Sequence, residues 1–199
     1  MFAQVIQGKT NDAEGFARQI DRWTADLKPG AKGFVGSTGG VAADGTTFAV
    51  VRFESEEAAN ANGARPEQSA WFEELRKTID GEPAFRNSND VQVMGEPSDA
   101  AGFVQVMTYD VSDRPALEAL EATVMPDLMK TRPDVLGMMR VWDGKTAVDV
   151  LYFSSQADAR EGEKKMGSNP EMAKQMEQFG QLGTEPTFID LTDPVLRSA

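Results

Sequence analysis

Asp149 stands in the apolar run Ala147-Val148-Asp149-Val150-Leu151, where a carboxylate has a raised pKa unless it is paired, and a raised pKa suits a general base. Arg140, in the apolar segment just upstream, supplies the alternative: an ion pair that only holds the strands together, and structural ion pairs outnumber catalytic ones. Arg52 and Tyr152 occupy matching places in two similar β-rich segments. Either could bind or polarise a carbonyl or a phenolate, and either could equally extend its tip to solvent. Gln4 and Gln105 lie inside short alternating segments, where an amide can orient a substrate oxygen or satisfy a buried neighbour. Trp142, with Trp71, Met138 and Met139, could wall a pocket for a flat hydrophobic ligand. Their spacing fits core packing at least as well.

The composition removes other chemistries. The 199 residues contain no histidine and no cysteine, which excludes a thiolate nucleophile, an imidazole base and an imidazole- or thiolate-bound metal within the chain. Thirty-two acidic against 20 basic residues give a net charge of −12, which repels phosphate, so neither nucleic acid nor an anionic membrane is an expected partner. No stretch approaches the ~18 apolar residues of a spanning helix, and the N-terminus has no basic prefix with a long apolar core, so a cytoplasmic protein is expected. Gly36-Ser37-Thr38-Gly39-Gly40 lacks the lysine and following helix start of a phosphate loop and reads as a bulged strand.

Phe103-Val104-Gln105-Val106 repeats Phe2-Ala3-Gln4-Val5, and the pattern after each copy agrees. A strand over residues 2–7 leads to an Asp12 N-cap and a helical stripe, Phe16, Ile20, Trp23 and Leu27, ending before Pro29-Gly30. Strands follow at 33–41 and 46–53, joined by the turn Asp44-Gly45. Ser55 caps a short helix, and a second helix carries Trp71 or Phe72, Leu75 and Ile79. Pro83-Ala84-Phe85 opens a last strand running toward Met94, interrupted by Asn87-Ser88-Asn89-Asp90.

In the second copy, Ser112-Asp113 starts a helix with the stripe Leu117, Leu120, Val124 and Leu128, in which Pro126 predicts a kink or break. Asp143-Gly144 repeats the turn, and Thr146–Phe153 repeats Thr46–Phe53. Met172, Met176 and Phe179 form the stripe of the final helix, and Glu185-Pro186-Thr187-Phe188 repeats Glu82-Pro83-Ala84-Phe85. The reading is therefore α+β: tandem βαββαβ, ferredoxin-like repeats over 1–95 and 103–199, joined by a connector at 96–102. Phe2, Gln4 and Ile6, with Phe103, Gln105, Met107 and Tyr109, are assigned to the sheet face that carries no helices.

The chain resembles the dimeric α+β barrel superfamily and, within it, the antibiotic-biosynthesis-monooxygenase-like group. The resemblance rests on the strand-one starts, the Pro29-Gly30 to Gly33-Phe34 and Pro133 to Gly137 passages, Phe53-Glu54-Ser55-Glu56-Glu57-Ala58, and Pro66-Glu67-Gln68. It implies two repeats packed sheet to sheet as a pseudodimeric barrel, either alone or as a homodimer. It also implies a small hydrophobic or aromatic ligand and no cofactor. The activity implied is cofactor-independent oxygenation of an aromatic or polyketide-like compound, with Asp149 as base and Gln4, Gln105, Arg52, Tyr152, Arg140 and Trp142 around the substrate.

The chain departs from the haem-degrading branch, whose histidine is replaced by Gln68 and Met172. It also departs from the oxygenases that carry a helix-two tryptophan, where it has Ala61-Asn62 and Gly162-Glu163. The competing reading is a non-catalytic ligand-binding or stress-related barrel.

Overall fold

A computed structural model describes residues 1–95 and 99–199. In the first repeat β1 (Phe2–Lys9), α1 (Ala13–Arg22), β2 (Phe34–Val41), β3 (Thr46–Phe53), α2 (Glu56–Gly63), α3 (Pro66–Arg76), β4 (Ala84–Ser88) and β5 (Val91–Val93) follow one another. The second contains β6 (Phe103–Asp110), α4 (Arg114–Thr131), β7 (Val135–Asp143), β8 (Thr146–Phe153), α5 (Gln156–Ser168), α6 (Pro170–Gln181), β9 (Thr187–Leu191) and β10 (Val195–Ser198). Residues 96–98 of the expected connector lie outside the described residues. No helix among the described residues is long and apolar enough to cross a membrane.

Local chemistry explains the elements. The Asp12 carboxylate accepts from Gly15 N at 2.8 Å, Ser55 Oγ from Ala58 N at 3.2 Å and Asp113 from Ala116 N at 3.0 Å, so each of these helices begins on a side-chain cap. The two hairpin turns place Gly45 and Gly144 at φ of +80° and +60°, a region closed to most side chains. Beyond Arg22, α1 widens into a π turn over Trp23–Leu27 and tightens again at Lys28–Gly30. The expected break at Pro126 does not occur, and α4 runs through it. Pro126 and Ala122, whose carbonyl loses its partner, are both exposed, so water can serve that carbonyl.

The sheets are five-stranded and antiparallel, in the orders β10-β2-β3-β1-β4 and β5-β7-β8-β6-β9. The compact units therefore differ from the sequence repeats. One unit is Met1–Val91 with Asp193–Ala199, and the other is Gln92–Thr192. What reads in sequence as one interrupted strand is split in two: β4 pairs with β1 in the first sheet, and β5 joins the second sheet beside β7, where Met94 exchanges hydrogen bonds with Met138. The C-terminal strand β10, which sequence patterning does not disclose, closes the edge of the first sheet beside β2.

Phe2, Gln4 and Ile6 do not lie on the helix-free face. Strand alternation puts them on the same side as Val51 and Phe53, and Phe53 packs into the core formed by Phe16, Trp23, Trp71 and Leu75 of the helical layer. The same holds in the second unit, where Tyr109 packs with Leu117 of α4 and Phe103 with Ala159 of α5. The α6 stripe is only partly core: Phe179 packs against the cluster of Val111, Leu117, Trp142 and Ala147, while no α6 residue is fully buried and Met176 is half exposed.

Removing residues 193–199 deletes β10 and its four residue pairs with β2. We expect the first unit to lose about 2–4 kcal/mol, seen as a lower denaturant midpoint by tryptophan fluorescence. An unchanged midpoint would show that β10 adds nothing to the sheet.

Candidate functional site

In the first unit a cavity of about 780 Å3 lies between the sheet and the helical layer. Its walls are aromatic and aliphatic, among them Phe2, Phe16, Trp23, Val51, Trp71 and Phe72. The residues that leave it open are small. Ala49 and Gly39 line it as cross-strand neighbours, and Gly8 stands beside Thr47 at its end. At Gly39 any Cβ would lie 2.7 Å from the Phe48 carbonyl oxygen, so this wall must stay bare.

Several of the polar groups in the lining are tied down. The Trp23 indole N–H donates to Gln68 Oε1 at 2.9 Å, and that of Trp71 to the Gln19 carbonyl at 2.8 Å, which pins both rings. The π turn begins at Trp23, and such turns recur at functional sites because they re-aim one side chain without ending the helix. Gln4 Nε2 donates to Asn87 Oδ1 across the β1–β4 pair at 3.0 Å, and Asn62 Oδ1 accepts from Arg65 at 2.8 Å. Among the described lining residues only Glu73 and Asp193 carry charge, and both are exposed.

The second unit fills the corresponding volume. Where the first has Gly8, Gly39 and Ala49, it has Tyr109, Arg140 and Asp149. Arg140 and Asp149 face each other across β7 and β8, each 1% exposed, with Nε to Oδ1 at 2.5 Å and Nη2 to Oδ2 at 2.8 Å. The Tyr109 hydroxyl donates to Asp149 Oδ2 at 2.9 Å and accepts from Arg140 Nη2 at 2.8 Å, and Glu121 of α4 completes the cluster 2.7 Å from Arg140. Burial and the neighbouring Asp149 charge push the Tyr109 phenol far above its ordinary value. Burial acts to lower the Arg140 pKa, but its bonds to Asp149 and Glu121 outweigh that and drive it upward. Tyr109 therefore stays neutral and Arg140 stays charged at any ordinary pH.

The sequence candidates thus separate. Gln4 lines the cavity. Asp149 and Arg140 form the buried pair in the other unit, which is the structural alternative weighed above. Trp142 is buried beside them, its ring 4.3 Å from the Arg114 guanidinium and 5.3 Å from that of Arg140, with its N–H on Gln92. Gln105 repeats the Gln4 arrangement, donating to Asp190 Oδ1 at 2.9 Å. Arg52 and Tyr152 alternate with cavity-side residues and so project from the opposite sheet faces. Arg52 Nε is buried there with no hydrogen-bond partner.

Sequence reasoning did not assign Gln68, Asn62, Asp193 and Val195 to a shared site. In the sequence Gln68 and Asn62 stand out only as departures from a family pattern, and Asp193 and Val195 belong to or adjoin strand β10, which patterning does not disclose.

No protein-family model and no curated protein matches the sequence. Solved structures do match along the whole chain. A candidate monooxygenase from Fusobacterium nucleatum superposes with a TM-score of 0.77 at 10% identity, covering 99% of this chain and 94% of that one. One from Lactobacillus acidophilus gives 0.70 at 12% identity, covering 99% of both chains. An anthrone oxidase-like protein gives 0.69 at 14% identity, covering 100% of this chain and 93% of that one. The fold is accordingly α+β, a tandem of two five-stranded antiparallel sheets with their helices, shared along the whole chain with these three structures.

Asp149→Ala leaves the Arg140 guanidinium with Glu121 as its one carboxylate partner and should cost about 3 kcal/mol, measured by urea denaturation. A loss below about 1 kcal/mol would deny the pair its structural role.

Proposed function

We propose that the first unit binds one flat, mainly apolar aromatic molecule in its cavity. The observation that carries this is the cavity itself: about 780 Å3 walled by Phe, Trp and aliphatic side chains, with a handful of amides and hydroxyls and no charge in its interior. Small-molecule sites begin at about 300 Å3 and combine an apolar lining with a few orienting polar groups. Gln4 and Gln68 are the orienting groups in this reading. Asp149, Arg140, Trp142, Gln105, Arg52 and Tyr152 are assigned roles in packing, since none of them lines the cavity.

A second reading adds oxygenation, and its support is the full-length likeness to an anthrone oxidase-like protein. The chemistry needs no cofactor. An activated CH2 of the substrate loses a proton, the carbanion gives one electron to O2, and recombination forms a C–O bond. The hydroperoxide then loses water to leave a carbonyl. One oxygen ends in the product and one in water, and the two C–H bonds supply the electrons. The protein excludes water from the intermediates and holds the ring in place. Because no base stands within the cavity, the substrate must ionise readily, with its proton leaving toward the rim where Glu73 and Asp193 stand.

Titration with anthrone and related quinols, following tryptophan fluorescence and dissolved oxygen together, tests both readings. Saturable quenching at one ligand per chain, lost in Ala49→Leu, is expected. Oxygen uptake above a protein-free control supports oxygenation. Quenching without uptake leaves a binding protein, and neither signal rejects the site.

A further inference from the structure

We infer that the cavity selects an uncharged aromatic ligand and rejects the corresponding acid; this rests on the binding reading above. Among the described residues no Lys or Arg lines the cavity, and the chain has no histidine. Several basic groups of the surrounding elements are directed elsewhere. Arg65 bonds Leu27 O, Asn62 and Glu67. Arg197 reaches Thr24 Oγ1 and Asp21, and Arg76 pairs with Glu82. Arg52 extends from the other sheet face. A carboxylate or sulfonate entering this space would surrender its hydration with no cation to replace it, a cost that no number of aromatic contacts of the same frame removes. The charges at the rim, Glu73 and Asp193, are both negative, as is the net charge of −12, so the approach of an anion is opposed as well.

The amides sharpen the class. An indole N–H can only donate, so the bond from Trp23 fixes Gln68 with its oxygen toward Trp23 and its NH2 left to donate. Gln4 uses its NH2 on Asn87, which leaves its oxygen to accept. Among the lining amides, Gln68 therefore offers a donor and Gln4 an acceptor, matched by a neutral ring system carrying a carbonyl and a hydroxyl. In the acid form of such a molecule the Gln4 oxygen would instead face a second negative oxygen.

A matched pair of fluorescent probes decides the matter. N-phenyl-1-naphthylamine and 8-anilinonaphthalene-1-sulfonate share one aromatic frame and differ by a sulfonate. The neutral probe is expected to bind at least about tenfold more tightly at moderate salt, and Ala49→Leu to abolish its signal. Ala49→Lys, which sets an ammonium in the chamber, should reverse the order. Equal affinity of the wild-type protein for both probes, with both sensitive to Ala49→Leu, overturns the charge selection while leaving the cavity a binding site. Failure of both probes to bind overturns the binding reading and this inference with it.

Discussion

A guanidinium buried in a folded domain must be met by carboxylates, and Arg140 is met by two, with the Tyr109 hydroxyl joining the cluster. That requirement organises the second unit. It draws Glu121 of α4 down onto the sheet, locks β7 to β8 through the Arg140–Asp149 pair, and fills the layer between sheet and helices. The first unit has the same strand order of β2, β3, β1 and β4 but none of the three sheet residues that build the cluster. With Gly8, Gly39 and Ala49 in their places, the same backbone encloses space instead of side chains.

The two solutions have different costs. Filling the layer with ions gives bonds that must all be made together, because removing one member leaves a charge without a partner. Leaving it empty forfeits the dispersion contacts that packed atoms would supply. The first unit offsets part of this with its aromatic wall: Trp23 lies 5.2 Å from Phe34 and 6.4 Å from Trp71, both indoles are fixed by hydrogen bonds, and the π turn sets Trp23 in place. A packed, pinned rim around a void resists collapse, which is what the proposed binding site requires.

The duplication, the strand and helix order and the capping residues are legible in the sequence because they rest on local patterns: alternation, a 3.6-residue stripe, Asp or Ser before a helix. The contrast between Ala49 and Asp149 is legible too, and it marks where the units diverge. Its meaning is not, because a carboxylate in an apolar strand reads alike as a base or as half of an ion pair until the cross-strand register sets Arg140 opposite it. Sheet face fails for a related reason. Phe2-Gln4-Ile6 and Ala3-Val5 are nearly equal in apolar character, and both faces of the strand are covered, so alternation cannot say which set meets the helices. Strand exchange is the least visible feature. Val91–Val93 and Val195–Ser198 are short edge strands whose partners are set by tertiary pairing and not by composition.

That exchange bears on what the second repeat does for the first. Asp193 and Val195, from the last segment of the second repeat, line the cavity of the first unit, and Arg197 anchors to Thr24 within the π turn that begins at Trp23. A single repeat ending near residue 95 would therefore lack both a wall of its cavity and a tether on the helix that bears its key indole. It would also carry an orphaned β5 whose partner β7 belongs to the other repeat. The filled second repeat thus need not bind anything to matter for the site. Its core is stabilised by an ion cluster incompatible with a cavity at those positions, while the chain that leaves that core completes the chamber of the first unit. Divergence at three sheet positions thus accounts for one layer that is filled and one that is open.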